Sequence, residues 1–339
     1  MKLKEFQKIM KEKDIGISLL TNSFERKNSN FIYFSQVDVN AILIISENPI
    51  LFTSPLEISI AKTQSKIKNM QLLKKDFFDK LKKLNPKIIG IDKDNLTLSQ
   101  FKFLKSKLRR IKFVDISKDI AKLRVTKTEE EINILKKSCN FADKIMEKTI
   151  YFFEKAKTEL DAKIFVDKLM LDLDLQPSFP TIIASNSNSK NPHHVSNNTK
   201  LKGFTIMDLG VKYKNYCSDM TRTVFIGKSS KKDFDFYNKI LEVQQEVIEK
   251  NLNPKELHDL TQTKLGKYFI HSLGHGIGID VHENPTLSTL SKESFNENMV
   301  FTLEPGYYNK FGIRIEDDFL FKNNKKIPIT KSPKEFLKI

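Results

Sequence analysis

Residues 204–224 read FTIMDLGVKYKNYCSDMTRTV, and this stretch decides the fold. FTIMDLGV (204–211) is an apolar, β-branched run with strand character. Asp208 follows the apolar Thr205-Ile206-Met207, and Asp219 lies eleven residues further on. Two strands of a hairpin, joined by the turn-forming KYKNY stretch, would bring these two carboxylates together. Read singly, each has a plain structural role: Asp208 ends a strand and Asp219 caps a turn. A carboxylate after three largely apolar residues is nevertheless costly to bury unless it meets a cation or hydrogen-bond donors.

Working outward, all six histidines lie between positions 193 and 282, which marks the C-terminal part of the chain as the place to look for a site. HSLGHGIGIDVHENP (271–285) carries three of them. A strand bearing His271 and His275 between glycines lets the backbone approach a site closely. An isolated strand histidine is usually a hydrogen-bonded structural residue, but three interleaved with Gly274, Gly276 and Gly278 fit that reading poorly. Glu304 in FTLEPGYY precedes Pro-Gly, where a strand turns. Arg314 and Glu316 in GIRIEDD share a face if the segment is a strand, and their plain reading is a surface ion pair. Together Asp208, Asp219, His275, Glu304 and Glu316 give four carboxylates and one imidazole from separate segments. That is a sensible shell for two divalent ions about 3.5 Å apart. Hard oxygen donors with a single nitrogen suit Mn, Co, Fe or Zn better than a thiolate site would.

The rest of the chain bounds the answer. At 339 residues, about two domains are expected. The net charge of +16 is almost entirely lysine, with only six arginines, so it reads as a solvated surface rather than a nucleic-acid reader. Cys139 and Cys217 make neither a disulfide framework nor a zinc-finger spacing, which points to a reducing compartment. MKLKEFQKIMKEKDIG has no apolar signal region, and no apolar run reaches bilayer-spanning length. A cytoplasmic protein is expected. Residues 1–123 read as a small α/β domain, with strands at 39–46 and 86–92 and a helix then a strand over 101–116. Ile67, Met70, Leu73, Phe77, Leu81 and Leu84 predict one amphipathic helix between the first two strands. In the second domain, 124–339, a helix starting near Thr126 buries Ile132, Leu135, Cys139, Ala142 and Met146. A capping box opens another helix at Thr158, and a third, over 234–249, presents Phe234, Tyr237, Leu241 and Ile248.

These strings resemble the metallopeptidase family of prolidase, aminopeptidase P, creatinase and methionine aminopeptidase. The strongest segments are DLGVKYKNYCSDMTRTV, HSLGHGIGIDVHENP, FTLEPGYY and GIRIEDD, and KLRVTKTEEEINILKKSC is similar to the family's entry into its catalytic domain. The resemblance implies an α+β chain: a creatinase-like N-terminal α/β domain, then a pita-bread catalytic domain of antiparallel sheet with flanking helices. By that resemblance Asp208 would chelate one metal, His275 and Glu304 the other, and Asp219 and Glu316 would bridge both. His193 and His282 match substrate-side histidines, and Arg314 would orient the bridging carboxylates. His271 would support the motif, while His194 and His258 match nothing and read as surface residues. Asn215 stands where the family commonly has glycine, and Asn251–His271 is shorter than usual.

The expected activity is hydrolysis of the bond before proline at the N-terminal end of dipeptides or short peptides, with two divalent ions, Mn or Co first and Zn or Fe next. A bridging hydroxide would attack the scissile carbonyl, Glu304 serving as general base and acid. The resemblance also implies a homodimer. No membrane partner and no specific nucleic acid are expected. The alternatives are a creatinase-like amidinohydrolase, a metal-dead binding protein of the same fold, and a basic nucleic-acid-binding protein.

Overall fold

Short β-branched runs alternate with helices in the first part of the chain, and they assemble as a mixed sheet. The computed structural model describes residues 2–339 and divides them into two units, one ending at Arg124 and the other spanning Val125–Ile339. In the first, helix α1 (Leu3–Glu12) leads into β1 (Ile17–Asn22), α2 (Ser29–Ser35), β2 (Ala41–Ile45), β3 (Ile50–Thr53) and α3 (Ile58–Gln64). Then come β4 (Met70–Leu72), α4 (Phe77–Lys83), β5 (Ile88–Ile91), α5 (Leu98–Lys107), β6 (Lys112–Asp115) and α6 (Ser117–Val125). The strand order is β4-β3-β2-β1-β5-β6, and β2 alone runs against its neighbours.

The single amphipathic helix expected over 67–84 does not form. Met70–Leu72 is instead an edge strand parallel to β3, with Leu51 opposite Met70. Only Phe77 and Leu81 of the predicted stripe are buried helical residues, on α4. The open edge of β3 offers backbone hydrogen bonds that a three-residue segment takes in preference to a helical turn.

The second unit begins with α7 (Glu129–Phe152) and α8 (Glu159–Asp172), each opened by a capping box, Thr128 with Glu131 and Thr158 with Asp161. Strands β7 (Gln176–Pro177), β8 (Ile182–Ser185), β9 (Gly203–Leu209), β10 (Val211–Tyr213), β11 (Tyr216–Cys217) and β12 (Met220–Ile226) follow. Helices α9 (Lys231–Glu249) and α10 (Pro254–Leu265) precede β13 (Gly274–Gly276), β14 (Glu283–Leu287), β15 (Val300–Leu303), β16 (Gly306–Tyr308), β17 (Gly312–Arg314), β18 (Asp317–Lys322) and β19 (Lys325–Pro328). The two main sheets are ordered β12-β9-β8 and β14-β13-β15-β18-β19. Every pairing between these named strands is antiparallel.

Helices cover these sheets and explain why the strands read as continuous apolar runs. Met207 and Leu209 of β9 pack with Ala142, Met146 and Val166 of α7 and α8. Phe204, on the other face of β9, packs with Tyr237, Ile240 and Val247 of α9. The buried face of α9 is therefore Tyr237, Ile240, Val243, Gln244 and Val247, while Phe234, expected on that face, is 48% exposed. Lys214 and Asn215 both take positive φ, 48° and 69°, in the two-residue turn between β10 and β11. Asparagine tolerates the left-handed conformation that this turn requires. No helix among the described residues is long and apolar enough to cross a membrane.

Candidate metal centre

Pairing of β9 with β12 sets Thr221 opposite Asp208 and Met220 opposite Leu209. Asp219, one residue before β12, therefore arrives beside the end of β9, as the hairpin reading required. Its backbone N–H donates to the Asp318 carboxylate at 3.0 Å, which fixes the turn. The backbone N–H of Glu316 donates to the Thr221 carbonyl at 3.1 Å, bringing the segment between β17 and β18 to the same place.

His275 sits in β13 where no side chain could replace its neighbours. A Cβ on Gly274 would lie 2.0 Å from the Thr302 carbonyl oxygen, and one on Gly276 would lie 2.1 Å from that of Asn284. The His275 Nδ1 lies 3.2 Å from the Gly276 carbonyl, which can only accept, so Nδ1 carries the proton. Nε2 is left with its lone pair facing Asp219 and Glu304, each at 3.7 Å. Burial, with the neighbouring His282, lowers the His275 pKa to about 3 and keeps the ring neutral. This is the state in which imidazole binds a metal.

One ligand atom each from Asp219, His275 and Glu316 lie within 4.8 Å of one another, all three residues being buried. Asp208 and Glu304 stand outside that tight group. Glu304 reaches it through His275, and Asp208 through Arg314, whose Nη2 donates to Asp208 Oδ2. All four carboxyls are pushed up: burial raises Asp208, Asp219 and Glu304, and brings Glu316 to about 7. Mutual repulsion adds to it, Glu316 raising Asp219 and Glu304, and Asp208 raising Glu316. Asp208 Oδ1 and Asp219 Oδ1 are buried with no hydrogen-bond partner among the described residues. Orphaned carboxyl oxygens around one neutral imidazole lone pair are the donor set that divalent cations require, so these residues fit the metals the sequence implied.

Arg314 and Glu316 are not the surface pair that their spacing allowed; they are 4% and 2% exposed. Arg314 spreads its fork over three partners: Asp208, Thr221 Oγ1 at 2.9 Å and the Tyr308 hydroxyl at 2.9 Å. Thr221 in turn donates to Glu316 at 2.6 Å. The Tyr308 hydroxyl donates onward to His271 Nε2 at 3.0 Å, because His271 Nδ1 donates to the Ser272 carbonyl at 2.7 Å. His271 lies outside β13, not on the strand expected to carry it, and burial holds its pKa down to about 4. Sequence reasoning missed Thr221 and Tyr308. The only signal for them was their place inside the strings TRTV and EPGYY.

His282 lies beside the cluster, its ring centroid 4.3 Å from that of His275. Burial and the charge of His193 lower its pKa. His193 is exposed, yet close enough for its charge to act on both His271 and His282. His194 and His258, expected at the surface, are not there. His194 pairs at 2.7 Å with Glu159, whose side chain is fully buried. His258 is buried with its ring 5.3 Å from that of Phe269.

A buried cluster of carboxylates with a neutral imidazole, on an antiparallel frame, is a donor set for divalent cations, and the family match makes the chain a metal-dependent hydrolase. Residues 133–323 match metallopeptidase family M24 and residues 2–126 match the creatinase/prolidase N-terminal domain; the chain belongs to family M24. It is 33% identical to a Xaa-Pro dipeptidase of Pyrococcus furiosus, with 99% of each chain covered. The prolidase structure of Pyrococcus horikoshii superposes with a TM-score of 0.89 at 32% identity, again covering 99% of both chains. An X-Pro aminopeptidase of Thermotoga maritima gives the same TM-score at 30% identity, covering 96% of this chain and 98% of its own. The α+β architecture, a creatinase-type unit followed by an M24 catalytic unit, is as the sequence implied.

Proposed function

We propose that this metallopeptidase hydrolyses the N-terminal Xaa-Pro bond of dipeptides and short peptides at a dinuclear centre held by Asp208, Asp219, His275, Glu304 and Glu316. The observation that carries the reading is the buried Asp219–His275–Glu316 group, with the unpartnered oxygens of Asp208 and Asp219 beside it. When bound, two divalent ions supply Lewis-acid polarisation of the scissile carbonyl and a water acidified toward neutral pH. Manganese or cobalt is the first choice for this oxygen-rich set, with zinc or iron next.

The chain's own residues do the rest. Glu304, whose Oε1 lies 3.7 Å from His275 Nε2, takes a proton from the attacking water and returns it to the leaving nitrogen. His282, whose ring lies 4.3 Å from that of His275, and His193 donate hydrogen bonds to the developing oxyanion or to the leaving nitrogen. Arg314 holds Asp208, and through Thr221 it holds Glu316. Preference for proline rests on the relatives, whose names give both dipeptidases and an aminopeptidase. The free, buried Cys139 and Cys217 accord with a reducing, cytoplasmic setting, and a homodimer follows from the family likeness.

The test is metal analysis of the purified protein, followed by assays of Ala-Pro, Ala-Pro-Ala and Ala-Ala with and without added manganese or cobalt. Up to two ions per chain and chelator-sensitive cleavage of Ala-Pro are expected. Full activity in metal-free protein would end the proposal, and equal rates on Ala-Pro and Ala-Ala would remove its proline specificity. Preference for Ala-Pro-Ala would select an open, aminopeptidase-like cleft. Light scattering at micromolar concentration reads the assembly, where a strict 39.4 kDa monomer would exclude the dimer.

A further inference from the structure

Of the net charge of +16, most belongs to residues 1–124, which hold 26 Lys and Arg against 13 Asp and Glu. This unit carries no part of the metal cluster. It does contain a cavity of about 380 Å3, within the range of small-molecule sites. Leu19, Thr21 and Ile42 of the sheet form its floor, with Thr21 and Ile42 paired across β1 and β2. Phe77 and Phe78 of α4 form one wall, and Gln100, Phe103 and Leu104 of α5 form the other.

The position is not arbitrary. Leu73 directly follows β4, Leu96 lies in the loop after β5, and Thr21 is at the end of β1, so the cavity opens outside the carboxyl ends of three parallel strands. From β1 the sheet grows one way to β2, β3 and β4, and the chain then returns to place β5 on the other side of β1. Such a switch in strand order is where open α/β sheets leave a ligand crevice.

The lining has two chemistries. An edge-to-face series, Phe52 on Phe77 at 5.1 Å, Phe77 on Phe78 at 5.2 Å and Phe78 on Phe103 at 5.6 Å, runs from the core to the rim. Phe103 is 53% and Leu73 40% exposed there, apolar area that an occupant would take out of water. Lys74 and Lys75 stand at the same rim, and the nearest acid in sequence, Asp76, is paired with Lys80 at 3.3 Å.

We propose that this crevice binds a small amphipathic carboxylate, its alkyl or aryl body between α4 and α5 and its carboxylate against Lys74 and Lys75. A neutral apolar compound would leave both ammonium groups unused, and a fully polar anion would leave the aromatic wall wet. The proposal is independent of the peptidase reading, since every residue it uses lies in the first unit.

Calorimetric titration of the full chain with octanoate, and with octan-1-ol as the neutral control, tests it. Octanoate should bind once per chain and about tenfold or more tighter than octan-1-ol, ~1.4 kcal/mol or above. Both lysines are exposed, so the double variant Lys74→Glu/Lys75→Glu should keep its thermal midpoint while losing the preference for the anion. Leu96→Trp should block both compounds. Equal affinity for octanoate and octan-1-ol, octanoate binding unchanged in the double variant, or no octanoate binding at all would overturn it.

Discussion

Glu159 and His194, 35 residues apart in sequence, meet at 2.7 Å with the glutamate side chain completely buried. Glu159 opens α8, but its carboxylate is committed elsewhere. Oε1 accepts from the Ser185 N–H at 2.7 Å and the Asn188 amide at 3.0 Å, while Oε2 accepts from His194 and from the Asn197 N–H at 3.2 Å. One side chain therefore anchors both ends of the loop that carries His193.

That relationship makes Glu159→Gln informative, because the new amide turns a donor toward donors. An unsatisfied buried group of this kind costs about 1–3 kcal/mol. We expect a lower thermal midpoint and, with metal saturating, a higher KM as His193 loses its placement. Metal content should stay at the wild-type level, since none of the five proposed ligands is touched. Unchanged KM and unchanged midpoint together would refute the anchoring role.

How much of this could be read beforehand depends on where each interaction is decided. The five acidic and imidazole candidates fall in short strings whose neighbours, Gly274 and Gly276 around His275 for example, are required by close backbone packing. Thr221 and Tyr308 were invisible because each acts only through β-register and a partner on another strand: Thr221 is made important by lying opposite Asp208. His194 and His258 were misplaced for the same reason, their burial being set by Glu159 and Phe269. The helix expected over 67–84 failed because a helical period is also satisfied by chance when a strand of three residues interrupts it. The edge of β3 decided the matter, and nothing local reports that edge.

Arg314→Lys tests the fork. Lysine keeps the charge but cannot reach Asp208, Thr221 and Tyr308 at once from one planar group. A lost hydrogen bond to a buried charged group costs about 1.5–3 kcal/mol, and loss of a residue that orients the proposed ligands lowers metal affinity by about 10–100-fold. Competition with a chelator of known affinity reads the second effect directly. Wild-type metal retention in this variant would show that the fork is structural only.

His258 predicts an acid limb of stability away from the metal cluster. Burial lowers its pKa from 6.5, so below pH 6.5 the unfolded chain binds the proton more readily than the folded one. Stability is therefore retained above pH 6.5 and declines as pH falls from there through the lowered folded-state pKa. Thermal melts at pH 7 and pH 5 should show a smaller difference for His258→Phe than for the wild type. An identical difference would mean that this ring does not contribute to the acid limb.

Glu304→Gln separates proton transfer from architecture. The glutamate backbone N–H donates to Leu273 at 2.8 Å, a contact the substitution leaves alone, so the turn between β15 and β16 should persist. What changes is the carboxyl: the variant has neither a base nor an anionic oxygen facing His275 Nε2. Turnover should fall by at least about a hundredfold, in line with general-base contributions. Removing one of the mutually repelling acids should also relieve the others, since Glu304 raises Asp219. The metal-free variant should then melt at or above the wild-type midpoint, even as its activity with metal collapses. Near-wild-type turnover with normal metal content would remove Glu304 from the chemistry. Lost activity with a lowered metal-free midpoint would make its role structural.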